Sequence, residues 1–510
     1  MTPQGDAAAR PAVRSLVPAR MDRLPWKRFH WRVILGLGSA WILDGLEIQI
    51  VATVGTVLQD RATLHLTAAD VGLTGSVYLF GEVVGALVFG RITDLVGRKK
   101  LFIATLALYL VASGLAALSF NLWFLLICRF FAGTGIGGEY TAINSAIDEL
   151  IPSHYRGRAD IAVNGTYWAG AMIGAAASIL LLNPNLLPVN AGWRLGFLIG
   201  PVLGVLIIYV RRVLPESPRW LMTHGRAEEA ERIVHQIEEE ARRQGAKLEP
   251  VPESRAIEVT GRGVVSYVQI ARTMLRDYRS RSFLGFSMMV TQAFLYNAIF
   301  FTYALVLANF YHIPAGRIGY YFFPFAAGNL LGPLLLGHLF DTIGRRRMIM
   351  LTYCVSAILL AISGQLFGAG LLTATTQTIL WCLIFFLASA GASSAYLTVS
   401  EIFPLELRGQ AISFFFAISQ LAGGVAAPAL FGALIGNGTN RGPLTIGYYV
   451  GALVMFAGGV IAWFFGVDAE RRSLEDVAAP LSAVPRNVGT TRATASVRRD
   501  PRSGQPPDWR

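Results

Sequence analysis

The sequence predicts an all-α integral membrane protein in which twelve transmembrane helices form two pseudo-symmetric halves of six. Three observations carry that reading: a composition unsuited to a water-exposed surface, twelve apolar runs of spanning length, and two loop motifs that each occur twice at nearly one offset. Of 510 residues, 54% are hydrophobic and only 15% charged, with a mean hydropathy of +0.49. Soluble domains carry about 25% charged residues. A soluble enzyme is therefore excluded.

A helix needs about 20 apolar residues to cross a hydrocarbon core of about 30 Å. Such stretches fall at about 33–55, 70–90, 100–119, 121–145, 160–182 and 193–213, then at 283–308, 318–339, 347–367, 375–399, 410–434 and 445–466. The chain thus divides into an N-terminal segment (1–32), a first half (33–213), a connecting loop (214–282), a second half (283–466) and a tail (467–510). No cleavable signal peptide is expected, since Arg10, Arg14, Arg20, Arg23, Lys27 and Arg28 precede the first apolar run. Residues 223–247 read as amphipathic helix with charge pairs at i,i+3 and i,i+4. The tail from about 478, poor in large apolar residues, reads as disordered.

Placing the N-terminus inside puts 39 of the 44 Lys and Arg on the inner side, four outside (Arg61, Arg194, Arg317, Arg441) and one, Arg129, within a span. Short connections alone give 10 inside against 4 outside. Basic residues concentrate on cytoplasmic loops, so both termini are expected in the cytoplasm and the protein in the cell (plasma or inner) membrane. The net charge of +12 follows from this asymmetry and calls for no nucleic-acid partner; the basic segments are placed to meet anionic lipid. Cys128, Cys354 and Cys382 all lie in apolar runs, with neither the number nor the spacing of a disulfide or zinc framework. No His cluster with metal-ligand spacing and no GxxxxGK[ST] phosphate loop occurs, so neither a metal, a cofactor nor ATP-driven pumping is expected.

Gly90-Arg-Ile-Thr-Asp94-Leu-Val-Gly97-Arg98-Lys99-Lys100 follows the second span, and Gly337-His-Leu-Phe-Asp341-Thr-Ile-Gly344-Arg345-Arg346-Arg347 follows the eighth, 247 residues on. A second pair follows spans four and ten at an offset of 252: Glu149-Leu-Ile-Pro152-Ser-His-Tyr-Arg156-Gly157 and Glu401-Ile-Phe-Pro404-Leu-Glu-Leu-Arg408-Gly409. Two motifs recurring at the same position of a six-helix unit mark parallel repeats about an axis along the membrane normal.

The Gly-x-x-x-Asp-x-x-Gly-Arg-Arg/Lys loop resembles the signature of the major facilitator superfamily, over roughly residues 30–476. Pro215-Glu-Ser-Pro-Arg-Trp-Leu221 and Arg129-Phe-x-x-Gly133-x-Gly135-x-Gly137 resemble its sugar-porter branch. The Gln-Gln-x-Ser-Gly-x-Asn pattern of that branch reads Thr291-Gln292-Ala-Phe-Leu-Tyr296-Asn297 here, and its Gly-Pro-x-Pro-Trp element reads Gly391-Ala-Ser-Ser-Ala-Tyr396. Gly137-Gly-Glu139-Tyr140 is similar to organic-acid and metabolite symporters. The resemblance implies a secondary transporter, not an enzyme, working by alternating access. Its expected partners are protons and a small polar organic solute, either a sugar-like metabolite or an organic acid, and it is expected to act as a monomer. A facilitative uniporter and a transport-incompetent nutrient sensor of the same fold stand as alternatives.

Ionisable groups in a bilayer cost at least about 2.5–3.5 kcal/mol each and usually pair, face a cavity or do work. The candidates are Asp44, Glu47, Glu82, Arg129 and Glu139. Asp44 and Glu47 share a face of the first span. At about 1.5 Å per residue, Glu47 and Arg129 lie at matching depths of about 12–13 Å below the outer ends of their helices, which permits an ion pair. A carboxylate that loses such a partner takes up a proton, so Glu47, Asp44, Arg129 and Glu139 form the expected coupling group; the resemblance implies that a helix 1 acid, here Glu47, faces the helix 4 Arg. A permanent structural pair is the alternative, and Glu82 or Glu139 equally suits a backbone bond at a Gly-rich crossing. Gln292, Tyr296, Asn297, Tyr303 and Tyr396, with Asn164 and Trp168 in the fifth span, are the expected substrate contacts; plain packing is the alternative for each aromatic. Asp94, Arg98, Glu149, Arg156, Asp341, Arg345, Glu401 and Arg408 are expected to form gating latches at the cytoplasmic face.

Overall fold

A computed structural model describes residues 13–211, 215–259, 267–276, 278–401 and 408–466. A three-residue strand β1 (Val13–Ser15) and a short helix α1 (Val17–Asp22) lead into six long helices: α2 (Arg28–Val57), α3 (Ala68–Val96), α4 (Arg98–Ala116), α5 (Leu122–Leu150), α6 (Arg156–Leu181) and α7 (Val189–Arg211). The connecting loop holds α8 (Pro218–Thr223), α9 (Ala227–Arg243), strand β2 (Ile257–Val259) and α10 (Tyr267–Arg276). The second half follows as α11 (Arg279–Tyr311), α12 (Ala315–Thr342), α13 (Arg345–Gly368), α14 (Ala374–Glu401), α15 (Arg408–Ser419), α16 (Ala426–Ile435) and α17 (Gly442–Phe465). A π turn, Gln420–Gly424, joins α15 and α16 into one span.

Among the described residues, ten helical stretches are long and apolar enough to cross a membrane. The other two expected spans are α6, diluted by the polar and aromatic run Asn164–Trp168, and α7, whose apolar stretch is Val189–Val205. Most spanning helices outrun their apolar runs, as α2 (Arg28–Val57 against 33–55) and α11 (Arg279–Tyr311 against 283–308) do, whereas α4 (Arg98–Ala116) stops short of its run at 119. One feature departs from the all-α expectation. Val13 and Val259 begin a two-stranded antiparallel ribbon between β1 and β2, which three-residue segments cannot announce through alternation.

Within the first half α3 packs on α5 and α2 on α6; in the second, α12 packs on α14 and α13 on α17. Small residues permit these approaches. A Cβ on Gly133 would stand 2.0 Å from the Tyr78 carbonyl oxygen, and one on Gly137 2.0 Å from that of Glu82. The two repeat loops share a backbone device: Gly97 (φ 95°) and Gly344 (φ 106°) occupy the region that favours glycine, each immediately before α4 or α13.

The halves meet along a seam, chiefly α3 against α16 and α6 against α12. At the end remote from the described termini this seam is closed backbone to backbone. A Cβ on Gly72 would lie 2.2 Å from the Pro428 carbonyl oxygen, and one on Gly319 2.2 Å from that of Ala175. Toward the opposite, basal end, Tyr140 stacks on Phe416 with centroids 4.3 Å apart.

The N-terminal segment is clamped to α9 at the basal end. Arg20 grips the buried Glu238 carboxylate through Nε and Nη2, both at 2.9 Å, and also pairs with Glu231. Arg23 joins the same carboxylate and Arg32 pairs with Glu240. Burial pushes the Glu238 carboxyl up, but the bonds and charges of Arg20 and Arg23 outweigh it and hold the group below its ordinary range.

Candidate functional site

The first half buries an ionisable cluster at mid-depth. Arg129 Nη1 donates to Glu47 Oε1 at 3.1 Å, and both side chains are nearly inaccessible, at 1% and 2%. The Tyr78 ring lies over the guanidinium, 4.0 Å from centroid to Cζ. The Tyr78 hydroxyl donates to Asp44 Oδ1 at 3.0 Å, so this tyrosine links Asp44 to the guanidinium that Glu47 binds directly. Tyr109 and Ser113 of α4 present buried hydroxyls to Glu47. Gly200 of α7 leaves room for that carboxylate: a Cβ there would stand 3.1 Å from Glu47 Oε2. Every member belongs to α2, α3, α4, α5 or α7, so the pair lies wholly within the first half.

A second polar line crosses the seam. Gln420 Nε2 donates to Glu82 Oε2 at 3.3 Å, and Gln420 Oε1 accepts from Asn297 Nδ2 at 3.0 Å. Asn297 Nδ2 also donates to the Ala293 carbonyl at 2.8 Å. Glu82 belongs to α3, Asn297 to α11, and Gln420 opens the π turn of the eleventh span. Such π turns recur at functional sites. Beside this line Trp168 and Tyr296 bring rings from opposite halves to 6.1 Å, and the Tyr296 hydroxyl donates to Asn329 Oδ1 at 3.2 Å.

The expected site residues separate on this geometry. Glu47, Arg129 and Asp44 gather through Tyr78, and Glu139 is buried nearby in α5, within electrostatic reach of Asp44. Asn297, Tyr296 and Trp168 line the seam, and Gln292 and Asn164 are half-buried on α11 and α6. Tyr303 is turned into the second half, bonded to Thr378 and packed on Trp381; it serves that core rather than the seam. Glu149 is half-buried and Arg345 buried at their helix ends. The side chains of Asp94, Arg98, Arg156, Asp341, Tyr396, Glu401 and Arg408 lie outside the described residues. Sequence reasoning missed Tyr78, Gln420 and Asn329. For Gln420 and Asn329 the signal existed, an amide inside an apolar span; for Tyr78 there was none.

Two six-helix halves meeting at a polar mid-depth seam, with acids and one arginine buried beside it, define a multi-pass membrane protein of transporter type. The chain belongs to the Sugar (and other) transporter family, whose profile matches residues 35–480. Its motifs had pointed to the major facilitator superfamily, and this match bears that out. It is 33% identical over 224 residues to the niacin transporter NiaP of Acinetobacter baylyi, covering 44% of this chain and 49% of that protein. It is also 33% identical over 218 residues to the inner membrane metabolite transport protein YgcS of Escherichia coli, covering 43% and 48%. The chain thus spans about half the length of these curated relatives. At 23% identity it aligns with Polyol transporter 5 of Arabidopsis thaliana over 91% of this chain and 88% of that one. In fold it matches a crystal structure of a D-xylose–proton symporter at a TM-score of 0.65, with 17% identity, over 87% of this chain and 99% of the other. The partially occluded, inward-open form of the xylose transporter XylE from E. coli matches at 0.66, with 18% identity, over 86% and 100%.

Proposed function

We propose that the chain is a secondary active transporter that moves a small polar organic solute, a sugar-like metabolite or an organic acid, by alternating access with proton symport. The observation that carries this reading is the meeting of Glu82, Gln420 and Asn297 across the seam at mid-depth, where repeat transporters hold their cargo. Rocking of the two halves, residues 33–213 and 283–466, exposes that seam to each side in turn. Gln292, Asn297, Tyr296, Tyr396, Asn164 and Trp168 supply the polar and aromatic contacts for cargo, and the acids around Arg129 (Glu47, Asp44, Glu139) take the coupling proton. The loop residues Asp94, Arg98, Glu149, Arg156, Asp341, Arg345, Glu401 and Arg408 act as latches that hold one state. The protein works as a monomer in the cell membrane with both termini cytoplasmic and its basic loops against lipid headgroups. The names of its relatives support a niacin-like, polyol or pentose cargo.

The test is uptake by proteoliposomes carrying the full chain, with nicotinate, nicotinamide, xylitol and D-xylose as probes and a pH gradient acid outside. Accumulation of at least one probe that collapses with the gradient is the expected result. Glu47→Gln should then remove accumulation while sparing exchange of the same probe, since the amide keeps the shape but carries no proton. Equilibration unaffected by the gradient would instead establish a uniporter.

A further inference from the structure

The Glu47–Arg129 pair has a property that limits what it does alone. Both partners belong to the first half, together with Tyr78, Tyr109 and Ser113. Rigid-body rocking of one half against the other leaves such a contact unbroken. Glu82 differs in that respect. Its hydrogen-bonding partner, Gln420, stands on the other half, so opening the seam changes its surroundings directly.

Glu82 is 14 residues from either end of α3, about 21 Å at about 1.5 Å rise per residue, and hence at the middle of that helix. It is 6% exposed and, among the described residues, forms no ion pair. The charged and titratable groups within electrostatic reach of it are Asp44 on α2, Arg129 on α5, Tyr78 one turn back on α3 and Tyr167 on α6; Glu47 and Glu139 lie next to Asp44, and Tyr296 next to Tyr167. Asp44, Glu47 and Glu82 therefore share Arg129, with Glu139 beside Asp44, and the guanidinium is hydrogen-bonded to Glu47. A buried carboxylate whose hydrogen bond comes from a neutral amide, and whose nearest cation is already bonded to another acid, is disfavoured, while the neutral carboxyl keeps the Gln420 bond.

We propose that Glu82 is a second proton-binding site, loaded when the seam closes over it and emptied when opening of the seam lets water reach it. Gln420, held by Asn297 and mounted on the π turn, is its positioning residue: it meets Glu82 in the closed seam and is withdrawn when the halves part. This deepens the symport reading and rests on it, because the seam's opening and closing is the transport cycle. Loading at Glu82 ties the proton to the position of the halves, a link the Glu47 pair lacks.

The experiment has one arm that needs no cargo. Infrared spectra of the full-length protein in lipid, titrated from pH 5 to pH 9 (about two units either side of neutral, where an ordinary carboxyl at about 4.3 is ionised), should contain a protonated-carboxyl absorption at neutral pH. The difference spectrum of wild type minus Glu82→Gln should contain a protonated-carboxyl component, and Glu47→Gln should retain that component. A protonated-carboxyl region that Glu82→Gln leaves unchanged overturns the assignment. In the second arm, the probe accumulated by the wild type, among nicotinate, nicotinamide, xylitol and D-xylose, is followed in Glu82→Gln. Gradient-driven accumulation should be lost while probe exchange stays within a few-fold of wild type; accumulation retained, or exchange lost as well, overturns it. A wild type that accumulates none of these probes counts against the transport reading, and the infrared arm still decides the proton site.

Discussion

The buried cluster of the first half and the polar line across the seam are neighbours in a carboxylate-rich setting, yet they are built differently. Glu47, Arg129, Tyr78 and Asp44 come from helices of one half that pack backbone to backbone through Gly133 and Gly137. Asn297 and Gln420 belong to the second half and Glu82 to the first, so the Gln420–Glu82 bond is the one that joins the halves. On the proposed cycle, the first arrangement moves as one body whatever proton it carries, and the Gln420–Glu82 bond of the second is broken and remade. Polar groups of one kind therefore take different roles according to whether their partners lie on the same rigid body.

The largest expected effect falls on the seam. Gly72→Trp places an indole where even a Cβ would stand 2.2 Å from the Pro428 carbonyl oxygen, so the distal seam cannot close. Uptake should fall more than tenfold (the change that about 1.4 kcal/mol makes in an equilibrium) with the melting temperature nearly unchanged. A variant that transports normally would remove the distal seam from the cycle. Next comes Arg129→Ala, which leaves the Glu47 carboxylate buried without its counter-ion at a cost of about 3–5 kcal/mol. Thermal unfolding in detergent should drop markedly, and Glu47→Gln should recover part of the loss in the double variant. Independent, additive effects would mean that the pair is not coupled.

A smaller effect is expected at Gly200, where alanine would press on Glu47 Oε2 from 3.1 Å; overpacking of this sort costs about 1–3 kcal/mol, read as a lower melting temperature. The smallest lies outside the bundle. Glu238 is held below its ordinary range, so its share of the basal clamp's stability is complete above the unfolded carboxyl value of about 4.3 and fades as pH falls through the lower folded value. Amide exchange in α1 and α9 should accelerate on acidification. Glu238→Gln should exchange faster already at neutral pH and lose most of the acid dependence.

The fold was legible because bilayer physics leaves few choices: spanning length, the charge asymmetry of the loops and the two repeated motifs each point to the same twelve-helix arrangement. The meeting of Glu47 and Arg129 was legible too, since depth along a helix follows from residue counting. The seam line was only half legible. Asn297 stood out as an amide in a span, whereas Gln420 escaped a search directed at charges, and the π turn that presents it depends on tertiary packing around Gly423 and Gly424. Tyr303 was misread because a tyrosine in an apolar run has the same sequence pattern whether it faces cargo or a core hydroxyl such as Thr378. The β1–β2 ribbon joins segments more than 240 residues apart, beyond the reach of local pattern.

The central claim is that one set of contacts is fixed and the other is broken and remade, and distances in lipid test it most directly. With Cys128, Cys354 and Cys382 replaced by alanine, spin labels at Ala69 and Phe120 report within the first half, and labels at Ala69 and Asn437 report across the distal seam; all three positions are exposed. Pulsed electron resonance across pH 5 to pH 9 (about two units either side of neutral, spanning the range in which shifted carboxyls titrate) should give one unchanging distance for the first pair. The second pair should show two populations, the shorter growing as pH falls and Glu82 is loaded. A single cross-seam distance at every pH, or a within-half distance that moves together with it, would contradict the account.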